Sequence, residues 1–242
     1  MPQQQPEQQA PPVQRLRVRY AKRGRMRFTS HRDFSRAFER AVFRARVPMA
    51  YSSGFNPHPR ISYAGAAPTG SASEAEYLEL ALAEVVVAAD VHAMLDEALP
   101  PGLDVLEVVE SRGGSLADLL EASRWRIGLT ADHAAVTDAV TRFLEADEVL
   151  VERMTKKGMR EFDARGAVLS LVVESADETA AGRTTIDVVL RHGSPAVRPD
   201  DVMRGLEGVA ATEALRPRRS PCERGRTPYR HRHGARGAPH AQ

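Results

Sequence analysis

Thiol chemistry is nearly absent from this chain. Cys222 is the only cysteine in 242 residues, which excludes an internal disulfide, a thiolate zinc site and an iron–sulfur cluster held by several cysteines. No run of eighteen consecutive apolar residues occurs, so a helical membrane span is not expected. The first residues are rich in Gln and Pro, with no Lys or Arg before Arg15, unlike a secretory signal, and a cytoplasmic location is expected. Phosphate-cradling glycines are missing too. Gly158 has no glycine partners in register, and Gly65 with Gly70 lacks the Lys and Ser or Thr of a P-loop. No cofactor and no metal is expected from the residues.

What is present is segregated charge. The net charge is only +2, yet Arg15 to Arg46 holds twelve Lys or Arg against Asp33 and Glu39, a net of +10. Val47 to Leu215 carries 14 basic and 28 acidic residues, a net of −14. Arg216 to Gln242 adds eight Arg against Glu223. The location of charge is therefore a better guide to partners than the whole-chain isoelectric point.

Residues 1–14 are low-complexity Gln/Pro and are expected to be disordered. Leu16, Val18 and Tyr20 alternate with Arg17 and Arg19 as in a half-buried strand, with a continuation to Phe28 after a turn at Gly24. Ser30 and Asp33 have capping-box spacing, and Phe34, Ala37, Phe38, Ala41, Val42 and Ala45 follow at helical intervals until Pro48. A strand at 49–51, a Gly/Pro loop at 52–60, strands at 61–64 and 77–84, a helix at 90–99 and a strand at 103–109 complete the order β-α-β-β-α-β. Residues 112–122 read as a connection. A similar order then recurs, with strands at 125–130, 149–154, 167–174 and 185–190 and helices at 132–145 and 200–206. The expected fold is α+β, with two ferredoxin-like lobes at 15–111 and 123–210, the second with or without its last strand. Residues 211–242 are expected to be a disordered Arg-rich tail. With 31 Arg to 3 Lys, a GC-rich coding sequence is suggested, and the tail reads like an out-of-frame product of one.

Arg32, Arg36, Arg40 and Arg44 fall at steps of four and form one ridge on the first helix. Arg17, Arg19, Lys22, Arg23, Arg25 and Arg27 are expected to join it. Guanidinium forks match phosphate oxygens, so an RNA or tRNA backbone is the expected ligand, although an acidic protein surface would answer to the same charge. In and beside the Gly/Pro loop, Tyr51, Phe55, Asn56, His58 and Arg60 are further candidate contacts, with Tyr63 nearby. An exposed Phe55 would be a platform for single-stranded bases; a buried one would plug the core. Lys156, Lys157, Arg160 and Arg165 form a second basic segment, either a solvated hairpin or a second backbone contact in which Asp163 orients Arg165. His31 and His58 are nucleic-acid contacts on the main reading. They would be general acid or base only if the chain were a metal-independent RNA endonuclease. A protein scaffold without RNA is the third reading.

Four motifs in order, Gly24-Arg25-Met26-Arg27-Phe28-Thr29-Ser30-His31-Arg32-Asp33, Tyr51-Ser52-Ser53-Gly54-Phe55-Asn56-Pro57-His58-Pro59, Ser73-Glu74-Ala75-Glu76-Tyr77 and Leu99-Pro100-Pro101-Gly102, resemble the radical-SAM-linked family of uncharacterised proteins. Its members stand alone or are fused to cobalamin-binding radical SAM proteins, so the resemblance implies such a partner enzyme. It also implies the non-catalytic half of the pair, since a radical SAM cluster needs three closely spaced thiolates. The paired ferredoxin-like order is similar to that of RNA-handling repeat proteins of CRISPR processing, a likeness of fold alone.

Overall fold

The computed structural model describes residues 8–155, 158–174, 184–210 and 222–224. These described residues form a mixed α+β fold with four α-helices and mainly antiparallel strand pairing. Strand β1 (Gln14–Lys22) alternates as its sequence dictates: Leu16, Val18 and Tyr20 are buried, while Arg15, Arg17 and Arg19 take the other face. Gly24–Phe28 is a 3-10 turn and not a continued strand. Its geometry is set from a distance, because the buried Lys22 Nζ donates to the Thr29 carbonyl at 2.8 Å and Gly70 N–H donates to the Arg27 carbonyl at 2.7 Å. Helix α1 (His31–Arg44) starts where expected. The Ser30 hydroxyl accepts from Asp33 N–H at 3.2 Å and donates to the Asp33 carboxylate at 2.7 Å.

Strand β2 (Ile61–Tyr63), β3 (Ala72–Leu82), α2 (Ala88–Ala98) and β4 (Leu103–Glu110) follow. The strands order as β4-β1-β3, with β2 outside β3. Met49 and Tyr51 make only isolated bridges, to Leu82 and Pro59. Phe34, Phe38, Ala41 and Val42 of α1 and Val91 and Leu95 of α2 close over Leu16, Val18, Leu78 and Leu80 to form one core.

The second half repeats the plan with an insertion. Strand β5 (Ala122–Leu129) and α3 (His133–Glu145) lead into the hairpin β6 (Leu150–Thr155) and β7 (Gly158–Asp163), which forms its own sheet. Strands β8 (Val168–Val173) and β9 (Thr184–Arg191), helix α4 (Pro199–Val209) and the short β10 (Cys222–Arg224) complete the series. The order β10-β5-β9-β8 mirrors the first half, and β10 lies within the segment expected to be disordered; residues 211–221 and 225–242 are outside the described residues. A second core runs from Trp125 to Leu206 and takes in Ala67 from the first half.

Strand β10 pairs with both β3 and β5, giving one eight-stranded sheet. Lys22, Ser73, Arg224 and Trp125 are successive cross-sheet partners in its backbone register. No helix among the described residues is long and apolar enough to cross a membrane.

The Leu99–Gly102 motif has a physical cause. Gly102 has φ +91°, and a Cβ there would lie 2.9 Å from the Arg23 carbonyl oxygen and 3.1 Å from Met26 Cγ. Gly102→Ala is therefore expected to cost about 2 kcal/mol of stability, read by urea denaturation.

Candidate functional site

The arginines of β1 are already engaged. Arg15 and Arg17 reach the Glu79 carboxylate at 2.9 and 3.1 Å, and the Ser111 hydroxyl donates to it at 3.0 Å. Arg17 also donates to the carbonyls of Gly113 and Gly114 at 2.6 and 2.9 Å, pinning the 111–121 connection across the open face of the sheet. Arg19 lies 3.5 Å from Glu107, and Arg23 bridges Glu74 and Asp104 at 2.7 and 2.6 Å. The expectation that Arg17, Arg19, Lys22 and Arg23 join the helix ridge is therefore corrected. Strand β1 lies between β3 and β4, and register sets Arg17 opposite Glu79 and Arg19 opposite Glu107. Lys22 points inward, where burial lowers its pKa and Glu76 partly offsets the effect.

Burial pushes the Glu79 carboxyl up, but the hydrogen bonds from Arg17, Ser111 and Arg15 outweigh it and hold the group below its ordinary value of 4.5. A depressed carboxylate contributes stability above its unfolded pKa and loses it as pH falls through the lower folded value. Glu79→Gln should accordingly flatten the fall in melting temperature on acidification below about pH 4.5. Thermal melts of both proteins across that range check it.

Helix α1 presents the contrasting surface. Arg32, Arg36, Arg40 and Arg44 are all exposed. Arg44 donates to the Ala98 carbonyl at the end of α2, whereas the side chains of Arg25, Arg32, Arg36 and Arg40 make no hydrogen bond or ion pair with any described residue. Of the two carboxylates of α1, only Glu39 reaches this face, where it stands beside three arginines. Asp33 is occupied by Ser30, and Glu39 is half-buried. Arg27 lies over the exposed Phe28 ring, 4.6 Å from its centroid, with its Nε buried and unpartnered.

Phe43 was absent from the sequence-derived site. It is 80% exposed, and together with Arg36, Glu39, Arg40 and Arg44 it lines a shallow recess of about 590 Å³. Its signal was its phase. Phe43 lies seven residues after Arg36 and three after Arg40, off the apolar stripe and on the arginine face.

The Gly/Pro loop is braced by Ser52 N–H donating to the His58 carbonyl at 2.9 Å and His58 N–H donating to the Ser52 hydroxyl at 3.0 Å. Phe55 is 75% exposed and does not plug the core; Tyr51, Asn56 and His58 are exposed and Arg60 is half-buried. Tyr63 belongs to the interior instead, edge-on to His31 and Phe34 at 5.1 and 5.9 Å, and burial pushes its phenol up. His31 begins α1 beside the end of β2, while His58 precedes the start of β2, roughly 15 Å away along an extended chain. Among the described residues no three His, Cys, Asp or Glu side chains are grouped to hold a metal.

In the second half, Arg160 is exposed on β7, and Lys156 and Lys157 lie outside the described residues. Arg165 is committed elsewhere: its guanidinium donates to the Leu144 carbonyl at 3.3 Å, at the end of α3. Asp163 does not orient that guanidinium. Its carboxylate accepts from the backbone N–H groups of Val149, Arg165 and Gly166 at 3.0, 2.8 and 2.8 Å, because a tight turn leaves those donors unpaired. Arg124 and Arg126 on the open sheet face are paired with Asp187 and Glu174.

No curated protein matches the chain. Among solved structures, it is similar to one chain of a crystal structure of a Cbf5-Nop10-Gar1 complex, with 8% identity, a TM-score of 0.49, and 92% of this chain and 55% of that chain covered. It thus spans little more than half the length of that neighbour. Residues 15–199 match the family described as uncharacterized proteins conserved in bacteria, DUF2344, and since they make up most of the 242 residues, the chain belongs to that family.

Proposed function

We propose that this protein is an RNA-binding accessory subunit, built of two ferredoxin-like lobes, that presents RNA or tRNA to a cobalamin-binding radical SAM enzyme. The repeated strand orders β4-β1-β3-β2 and β10-β5-β9-β8 support the lobes. The motif resemblance supports the partner enzyme, and the lone Cys222 leaves the cluster chemistry to that partner. The carrying observation for RNA is selective pairing of charge: the arginines of β1 are paired with carboxylates, Arg15 and Arg17 sharing Glu79, while Arg32, Arg36 and Arg40 on the outer face of α1 are left open. Unpaired guanidinium groups in a row favour a phosphate backbone, and Arg25 and Arg27 extend the row past the start of α1.

Fluorescence anisotropy of a labelled RNA over a range of salt concentrations tests this. The logarithm of affinity should fall linearly with the logarithm of salt, at about −0.7 per phosphate contacted. A flat response, or salt-sensitive binding only to an acidic protein that survives nuclease treatment, would count against RNA.

A further inference from the structure

We infer that the RNA segment held on α1 is single-stranded and that Phe43 stacks on one of its bases. The inference rests on the RNA-binding reading and adds the form of the ligand. Phe43 is the most exposed of the large apolar side chains of the described residues, at 80%. It sits in the last turn of α1, where nothing in the local backbone requires an aromatic residue. The recess beside it is lined by Arg36, Arg40 and Arg44, with Glu39 as its one carboxylate, so cationic groups outnumber the anion around the ring. Arg36 and Phe43 are seven residues apart, about 10 Å of helix rise. A strand whose phosphates follow the arginines thus carries its bases past the ring.

A base inside an A-form duplex has both faces covered by its neighbours, and the deep major groove is too narrow for a side chain to enter. An exposed phenyl ring can accept a base face only from an unpaired strand. Phosphate contacts alone would not need the ring at all. The combination of open cations with an uncovered aromatic is the chemistry that holds single strands without demanding a sequence.

The test uses the full chain, a fluorescein-labelled 12-nucleotide RNA without secondary structure, and the same RNA annealed to its complement. Phe43→Ala should weaken single-strand binding about tenfold, with the salt slope and duplex binding unchanged, because no phosphate contact is removed. Phe43→Trp should keep the affinity, and the emission of the introduced indole should be quenched on adding the single strand but not the duplex. Trp125 is buried and supplies a constant background.

The inference is overturned if Phe43→Ala binds the single strand as the parent does, or if strand and duplex bind equally, while the salt slope persists. In that case RNA binding itself would stand. Absence of any RNA binding by the parent chain would remove both. A Phe43-dependent dimer in light scattering would assign the ring to a second copy and also overturn the inference.

Discussion

Changing Arg32, Arg36 and Arg40 together to alanine should weaken RNA binding about 50-fold near physiological salt and reduce the salt slope by about 2. Each phosphate contact on a single strand contributes about 0.7 to the slope, and counterion release near 0.15 M salt makes three contacts worth roughly 1.7 logarithmic units of affinity. The same substitutions should leave folding intact, with stability changed by less than about 0.5 kcal/mol, because all three side chains are exposed and have no partner among the described residues. Arg17→Ala provides the opposite pattern. It removes one of the two guanidinium groups holding Glu79 and frees Gly113 and Gly114, so stability should fall while the salt slope stays. Anisotropy titrations and urea melts on the two variants separate the roles.

Asp201→Ala is expected to be the most destabilising single change, at about 3–5 kcal/mol, out of the roughly 5–15 kcal/mol that hold a typical domain together. Asp201 is fully buried. One carboxylate oxygen accepts from Arg198 N–H at 2.8 Å and is bonded to Arg153, and the other lies 3.5 Å from Arg204. Arg153 in turn covers the Phe162 ring at 4.6 Å. Removing the carboxylate leaves a largely buried guanidinium without its anion, uncaps α4 and loosens the β6–β7 hairpin from it. Equilibrium urea denaturation reads the loss, and Asp201→Ala melting like the parent would contradict this role.

Much of the first half was legible because its signals are local. Ser30 with Asp33, followed by the Phe34–Phe38–Ala41 stripe, identifies α1, and the alternation at Leu16, Val18 and Tyr20 identifies β1. What escaped depends on distant partners. The stretch 24–28 looked like strand but is held as a 3-10 turn by Lys22 and Gly70. Strand β3 begins five residues earlier than its apolar pattern suggests. Glu76 is buried there, accepting from Ala67 N–H and the Ser73 hydroxyl, so a polar sequence sits inside. Strand β10 is three residues in an Arg-rich segment, too short for any periodicity, and only its neighbours β3 and β5 define it.

The arginine surface shows the same division. Four-residue spacing was enough to find the ridge on α1, since a helix converts spacing directly into a face. It could not reveal that Arg15, Arg17, Arg19 and Arg23 meet carboxylates from residues 74 to 107, because those contacts are made across the sheet. Phe43 could have been read from its phase, but attention to the apolar stripe hid the one ring lying off it.

The Arg-rich C-terminal segment can also attract polyanions, so bulk affinity does not locate the contact surface. Photocrosslinking a 4-thiouridine-substituted RNA to the full chain, followed by peptide mapping, does. Crosslinks should concentrate between residues 25 and 60 and include the α1 peptide carrying Phe43. Crosslinks confined to residues beyond 215, or to the open sheet face around Arg124 and Arg126, would contradict α1 as the polyanion-binding surface.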